Sequence, residues 1–294
     1  YPNSNLREKT MNKGLKRALI GASTLAAMAL PGLASAQEIS SVADGIHVIR
    51  GQGGNIGVSV GADGVFMIDD QFAPATGAIL DQIKTVTDQP VRFLLNTHFH
   101  GDHTGGNENL GKSGVLIFAH DNVRARLLSA NAPAASLPVV TFNDATTFHM
   151  NGQTVRVFHT SNAHTDGDAM IHFQEADVIH MGDTFFNGFY PFIDARSGGS
   201  VEGVFAAIDT VLALADDDTV IVPGHGPVGN RADLVAYREM LIKARDGIRP
   251  LIADGKSVED IVVAKPLAAL DDQWGGGFLN PERFLRVMHA ALTK

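Results

Sequence analysis

The chain has 294 residues, with 23 Lys+Arg against 32 Asp+Glu (formal charge −9), 12 His and no Cys. Without Cys there can be no disulfide, thiolate metal site, cysteine nucleophile or lipid-acylated cysteine. The acidic balance disfavours a nucleic-acid surface. A composition of 45% hydrophobic and 19% charged residues is that of a globular protein, not of a long disordered chain.

Residues 1–10 precede Met11, a plausible start, and read as an upstream extension. Residues 11–36 carry a basic start (Lys13, Lys16, Arg17), a short apolar run to Leu30, a break at Pro31, and Ala34-Ser35-Ala36. That is the pattern of a secretory signal peptide, too short in its apolar part to span a bilayer. Cleavage would leave Gln37 at the new terminus and remove Arg7, Lys9, Lys13, Lys16 and Arg17 against one acid, Glu8, so the remainder is more acidic and keeps every His. The expectation is an exported protein, periplasmic in a Gram-negative cell, with a single domain over 37–294 ending in a helical region.

Short β-branched runs at 46–50, 56–60 and 65–68, separated by Gly-rich turns, predict antiparallel strands. Helical spacing at 75–86 leads into a buried strand at 91–95. A strand at 115–119, a helix from 121 to 128 and a loop over 131–140 come next. Strands are predicted at 146–149, 154–159, 169–173 and 178–181, with Asn151-Gly152 as a hairpin turn. A helix over 201–215 and a buried strand at 219–222 precede helices near 232–254, 257–264 and 281–292, the last two starting at Ser257 and Pro281.

The chemistry sits where apolar strands run into polar, Gly-flanked residues. After Leu94-Leu95 comes Asn96-Thr97-His98-Phe99-His100-Gly101-Asp102-His103, three imidazoles and a carboxylate within six residues. In an extended or turning segment His98 and His100 project to one side, with Asp102 and His103 curling behind. Imidazole and carboxylate without thiolate suit zinc, with manganese or iron as lesser options. His164, Asp183 and His225 each sit beside a strand end next to Gly. Together the segments supply enough donors for two metals with open positions for water.

HFHGDH followed by His164, Asp183 and His225 resembles the metallo-β-lactamase superfamily, over about residues 40–230. The strand ending at Asp69 is similar to that family's early strand with a structural Asp. The resemblance implies an α/β fold, a four-layer αβ/βα sandwich with the metal site at one edge of the two sheets. It also implies that His98, His100 and His164 bind a first zinc, that Asp102, His103 and His225 bind a second, and that Asp183 bridges them. An Asp at 183, in place of the Cys or Ser of the best-known lactamases, is closer to the glyoxalase II and lactonase branches.

Such a ligand set implies hydrolysis of a small acyl substrate (lactone, ester or β-lactam) by hydroxide generated at neutral pH between two cations. Asp102 is a ligand that could also shuttle a proton. Acid should strip the metal as the ligands protonate, with activity falling below about pH 6. Competing readings are a thioester hydrolase of glyoxalase II type, a mononuclear-iron sulfur dioxygenase, and a zinc-binding scaffold without activity. No membrane span is expected. Asn187, Arg196, Asn230 and Arg231 are candidates for gripping a substrate carboxylate or carbonyl. The aromatic run 185–192 is either a substrate wall or a core plug. Trp274-Gly275-Gly276-Gly277-Phe278 reads as a turn anchoring the last helix, with a pocket lid as the lesser option.

Overall fold

Alternation of apolar residues builds two sheets. The computed structural model describes residues 37–293; the extension 1–10 and the signal segment 11–36 lie outside the described residues. The first sheet takes its strands in chain order: β1 (Glu38–Ala43), β2 (Ile46–Arg50), β3 (Ile56–Ser59), β4 (Val65–Ile68), β5 (Val91–Leu95), β6 (Leu116–His120) and β7 (Val140–Phe142). Its first four strands are antiparallel, and β4 to β7 are parallel. The parallel half needs crossovers, supplied by α1 (Thr76–Lys84), by α2 (Gly101–Thr104) with α3 (Asn107–Lys112), and by α4 (Asp121–Ser129).

The second sheet holds β8 (Ala145–Met150), β9 (Gln153–His159), β10 (Ala169–Phe173), β11 (Val178–His180) and β12 (Val220–Val222), in the order β12-β11-β10-β9-β8. The β8–β9 hairpin turns at Asn151 (φ 53°) and Gly152 (φ 73°), two positive-φ residues as a tight primed turn requires. The chain closes with α5 (Val201–Leu214), α6 (Arg231–Ala253), α7 (Val258–Ala264), α8 (Ala268–Trp274) and α9 (Pro281–Leu292). Side-chain caps from Ser200, Asn230, Ser257 and Asn280 start four of these helices.

Strand parity sorts the core into layers. Phe66, Ile68 and Leu95 of the first sheet meet Val155, Val157, Ile171 and Val222 of the second. On the outer face of the first sheet Val65, Met67 and Leu94 pack against Ile79, Ile83 and Leu110 of α1 and α3. Met170, Ile179 and Ile221 face outward on the second sheet, toward α5, α6 and α9. The result is the expected four-layer sandwich.

The differences from the sequence reading are local. β1 and β7 lie at the two edges of the first sheet, where strands are partly exposed, and β7 begins at the last residue of the predicted loop. The motif after β5 turns at once into α2 and α3, and α8 lies in a stretch with no predicted helix.

Candidate metal centre

The topology brings five loops to one edge. β9 and β11 are each antiparallel to β10, so they run the same way, and β12 is parallel to β11. Their C-terminal ends carry His164, Asp183 and His225. The parallel pair β4 and β5 delivers Asp69 and the His98–His103 segment to the same edge. Backbone bonds join the sheets there: Ala169 N donates to Thr97 O (2.8 Å), and Asn55 N to Gly224 O (2.7 Å). Asn55 Nδ2 also donates to Pro223 O and Gly226 O, and His180 Nε2 donates to Asn55 O (3.1 Å).

The seven sequence candidates meet in two groups, His98, His100, His164 and Asp183, and Asp102, His103 and His225. In the first, His100 Nδ1 lies 3.1 Å from His98 Nε2 and 2.9 Å from His164 Nε2. Asp183 Oδ2 is 3.5 Å from His164 Nε2 and 3.8 Å from His98 Nε2. In the second, His103 Nε2 and His225 Nε2 are 3.4 Å apart, and Asp102 Oδ2 is 3.6 Å and 3.3 Å from them. Asp183 reaches this group too: Oδ1 is 3.1 Å from His103 Nε2, and Oδ2 is 3.4 Å from His225 Nε2. Asp183 therefore stands between the groups.

Hydrogen bonds on the far side of each ring fix which nitrogen faces inward. His164 Nδ1 donates to the Phe192 carbonyl (2.7 Å), leaving Nε2 bare. His103 Nδ1 donates to Asp69 Oδ2 (2.7 Å). Thr97 Oγ1 gives its own proton to Asp69 Oδ2 (2.7 Å), so it accepts from His98 Nδ1 (3.0 Å). His100 is reversed: its Nε2 donates to Asp194 Oδ2 (3.2 Å), and Nδ1 points in. Outer partners of this kind set the tautomer and orientation of metal-binding imidazoles. Lone pairs that converge to about 3 Å repel unless a cation lies between them. Asp183 Oδ1, buried and 3.1 Å from His103 Nε2, adds a further lone pair to the cluster.

The two groups differ electrostatically. Burial, reinforced by His103, holds His98 well below the ordinary imidazole range, and burial brings His164 to about 4. Both are neutral at pH 7. For His103 and His225 burial acts in the same direction but is outweighed. Asp183 and Asp69 raise His103 well above its usual value, while Asp183 and Asp102 lift His225 to about 9. Asp183 stays ionised, since His103, His225 and His98 overcome the effect of its burial.

A profile of the metallo-beta-lactamase superfamily matches residues 49–225, more than half of the chain and all of the site. The chain belongs to the metallo-beta-lactamase superfamily. It is 28% identical over 186 residues to a hydroxyacylglutathione hydrolase of Polaromonas sp. (60% of this chain, 65% of that protein). To a hydroxyacylglutathione hydrolase of Nitrosococcus oceani it is 28% identical over 152 residues (50% and 52%). It thus spans between half and two thirds of the length of these curated relatives. Among solved structures, a metallo-beta-lactamase from Pontibacter korlensis superposes with a TM-score of 0.62 at 21% identity, over 70% of this chain and 99% of that one. A sec-alkyl sulfatase double mutant gives 0.67 at 19%, over 86% of this chain and 50% of that one. These likenesses are of fold.

Within the superfamily frame, several site-building residues gave no sequence signal. Asp194 and Asn55 are ordinary loop polar residues until the fold places one behind His100 and the other between the sheets. A Cβ on Gly54 would sit 2.1 Å from His103 Cε1, and one on Gly224 2.0 Å from Asp183 Oδ1, so both positions require the bare backbone. Of the four substrate-gripping candidates, Asn187 donates to Pro227 O and Asn230 caps α6, while Arg196 and Arg231 do not line the cleft at the site. The aromatic run divides: Phe185, Phe186 and Tyr190 are core, and Phe192 lines the cleft. Trp274 is buried as an anchor, but Phe278 reaches the cleft. Gly57-Val58-Ser59-Val60-Gly61 has the letters of a nucleophile elbow, yet Ser59 lies buried within β3 and accepts a bond from Asn151 Nδ2.

Proposed function

We propose that this chain is a metal-dependent hydrolase that holds two zinc ions and cleaves an acyl carbonyl. The observation that carries this reading is the convergence of seven donors into two groups bridged by Asp183, with the inward nitrogen of His98, His100, His103 and His164 fixed from behind. A tetrahedral zinc with imidazole nitrogens at ~2.05 Å needs donor separations of about 3.3 Å. The donor pairs measured above are 2.9–3.8 Å apart, and within each group all donors lie within 4.8 Å of one another. His98, His100, His164 and Asp183 would hold one ion, and Asp102, His103, His225 and Asp183 the other. Such a pair supplies Lewis acidity and a water acidic enough to ionise near neutral pH.

The chain's own groups do the rest. Asp183, standing between the groups, would screen two bound cations from each other. Asp102 has a side chain 28% exposed against 6% for Asp183, so it is the carboxylate that meets solvent and substrate. It takes the proton of the attacking water and returns it to the leaving group. The segment 11–36 supports a protein that works after export.

Metal analysis with a hydrolysis panel tests this. The expected result is two zinc ions per chain and turnover of an activated ester or lactone that chelator abolishes and zinc restores. One iron per chain with oxygen-dependent turnover would replace it with the dioxygenase reading. A second reading, glutathione-thioester hydrolysis, is favoured by the names of the curated relatives, and turnover of S-lactoylglutathione would establish it.

A further inference from the structure

The cleft beside the two groups has a volume of about 570 Å³, and apart from the metal-site residues its wall is phenyl rings and glycines. Phe192 flanks the first group, its ring centroid 6.0 Å from that of His100 and 5.9 Å from that of His164. Phe278 flanks the second, 6.0 Å from His225 and 5.9 Å from Phe186. Phe72 closes another side. Phe72 and Phe278 are 44% and 56% exposed, which for a phenyl ring leaves a large apolar surface in water.

Neither ring hangs on a loose segment. Phe72 O accepts from Ala75 N (2.9 Å), and the preceding Gln71 donates through Nε2 to Gly54 O (2.8 Å). Phe278 lies between buried Trp274 and buried Leu279, and Gly277 packs so closely that a Cβ there would meet Phe189 at 2.8 Å. The fold thus presents exposed aromatic rings at fixed places on both sides of the metal groups.

Charge points the same way. No Lys or Arg is among the described residues lining this cleft, and its only charged side chains besides the imidazoles are Asp102 and Asp183. Arg126 is engaged elsewhere, by both oxygens of Asp166 (2.7 Å each) and by Ser197 O. A substrate carboxylate lying against the phenyl rings, out of reach of the proposed cations, would lose water and meet no Lys or Arg.

We infer that the substrates are uncharged carboxylic esters, open-chain or cyclic, with apolar groups on both sides of the scissile carbonyl, and that Phe72, Phe192 and Phe278 set this preference. The inference rests on the hydrolase reading above. In the reaction the water oxygen bonds to the acyl carbon, the acyl C–O bond breaks, and one water proton passes to the alcohol oxygen, leaving acid and alcohol.

The test compares 4-nitrophenyl hexanoate with 4-nitrophenyl hydrogen adipate, which has the same chain length and a terminal carboxylate, alongside S-lactoylglutathione. The zinc-loaded protein should prefer hexanoate in kcat/KM by about tenfold or more over adipate, as expected for an unpaired charge in an apolar site. Phe278→Ala and Phe72→Ala should lower the hexanoate-to-acetate ratio several-fold, and Phe278→Arg should narrow the hexanoate-to-adipate gap. A second readout needs no turnover. N-phenyl-1-naphthylamine, a neutral aromatic probe, should fluoresce on binding the chelator-treated protein, and the Phe72→Ala/Phe278→Ala double variant should bind it several-fold more weakly. Faster turnover of adipate or lactoylglutathione, or unchanged probe affinity in the double variant, would overturn the inference and leave the two-metal hydrolase standing. Failure to hydrolyse any of these carbonyl compounds, lactones included, would overturn both.

Discussion

At the residue scale the centre is governed by the groups behind the donors. Asp69 is fully buried with φ 62°. One carboxylate holds Thr97 N and Thr97 Oγ1 and fixes the His103 tautomer. Asp69→Asn keeps the shape but removes the charge and one acceptor, so affinity for the second ion should fall about 10–100-fold, and the first group, whose His98 is oriented through the Thr97 hydroxyl, should weaken as well. Stepwise zinc titration checks this; an unaltered second step would refute it. Protons compete with metal at the same place. Without metal, His225 is held at about 9 against 6.5 in the unfolded chain, and His103 is raised as well. The proton bound by His225 stabilises the fold fully below pH 6.5, a contribution lost as pH rises through about 9, and the raised His103 acts in the same sense. Asp168, lifted by burial to about 7, acts in the same sense below that pH. The thermal midpoint of the chelated protein should therefore drop between pH 6.5 and 9, and zinc should abolish the drop, as scanning fluorimetry across that range would record. Acid stripping of zinc should start at this second group, whereas His98 and His164 resist protonation.

At the element scale, two candidate donors, His103 and Asp183, sit where a neighbouring loop backbone approaches too closely for any side chain. Gly224→Ala puts a methyl group onto Asp183 Oδ1, and Gly54→Ala puts one onto the His103 ring. Each should cost most of the bound zinc and activity while far-ultraviolet circular dichroism stays near wild type, because both glycines lie outside the strands and helices. The His164 loop depends on a similar contact: a Cβ at Gly203 of α5 would meet Asn162 O. Interior strands were legible because both neighbours demand apolar side chains. The edge strands β1 and β7 were not, since an edge tolerates polar and exposed residues. α2 was hidden because its residues answer to the site: Asp102 and His103 are poor helix formers kept there by what they reach.

At the scale of the whole molecule, the two halves of the sandwich meet at the metal groups, so metal binding and sheet packing are coupled. Zinc at a hundred times its dissociation constant adds about 2.7 kcal/mol per site, and chelation should lower the unfolding midpoint accordingly. Arg126 tests the coupling from outside: it joins α4 to the His164 loop through Asp166 and to the Asp194 turn through Ser197 O. Arg126→Ala should weaken the first zinc site several-fold without touching a ligand, measurable by competition with a chromogenic chelator. Unchanged affinity would mean that the loops are held elsewhere.

The sequence by itself supplied the candidate donors, their zinc-compatible chemistry and most of the interior strands and helices, while the layered sandwich came from the family resemblance that HFHGDH carries. Imidazoles and carboxylates crowded after apolar strands have few other uses, and strand periodicity follows from backbone geometry. Only the tertiary structure decided how Asp183 stands between the two groups, which nitrogen of four of the rings faces inward, and that Asp194 and Asn55 support them. It also decided that Phe72, Phe192 and Phe278, far apart along the chain, line one cleft with no cation. Those relations depend on distance between loops from separate strands, and no local pattern of residues encodes such a distance.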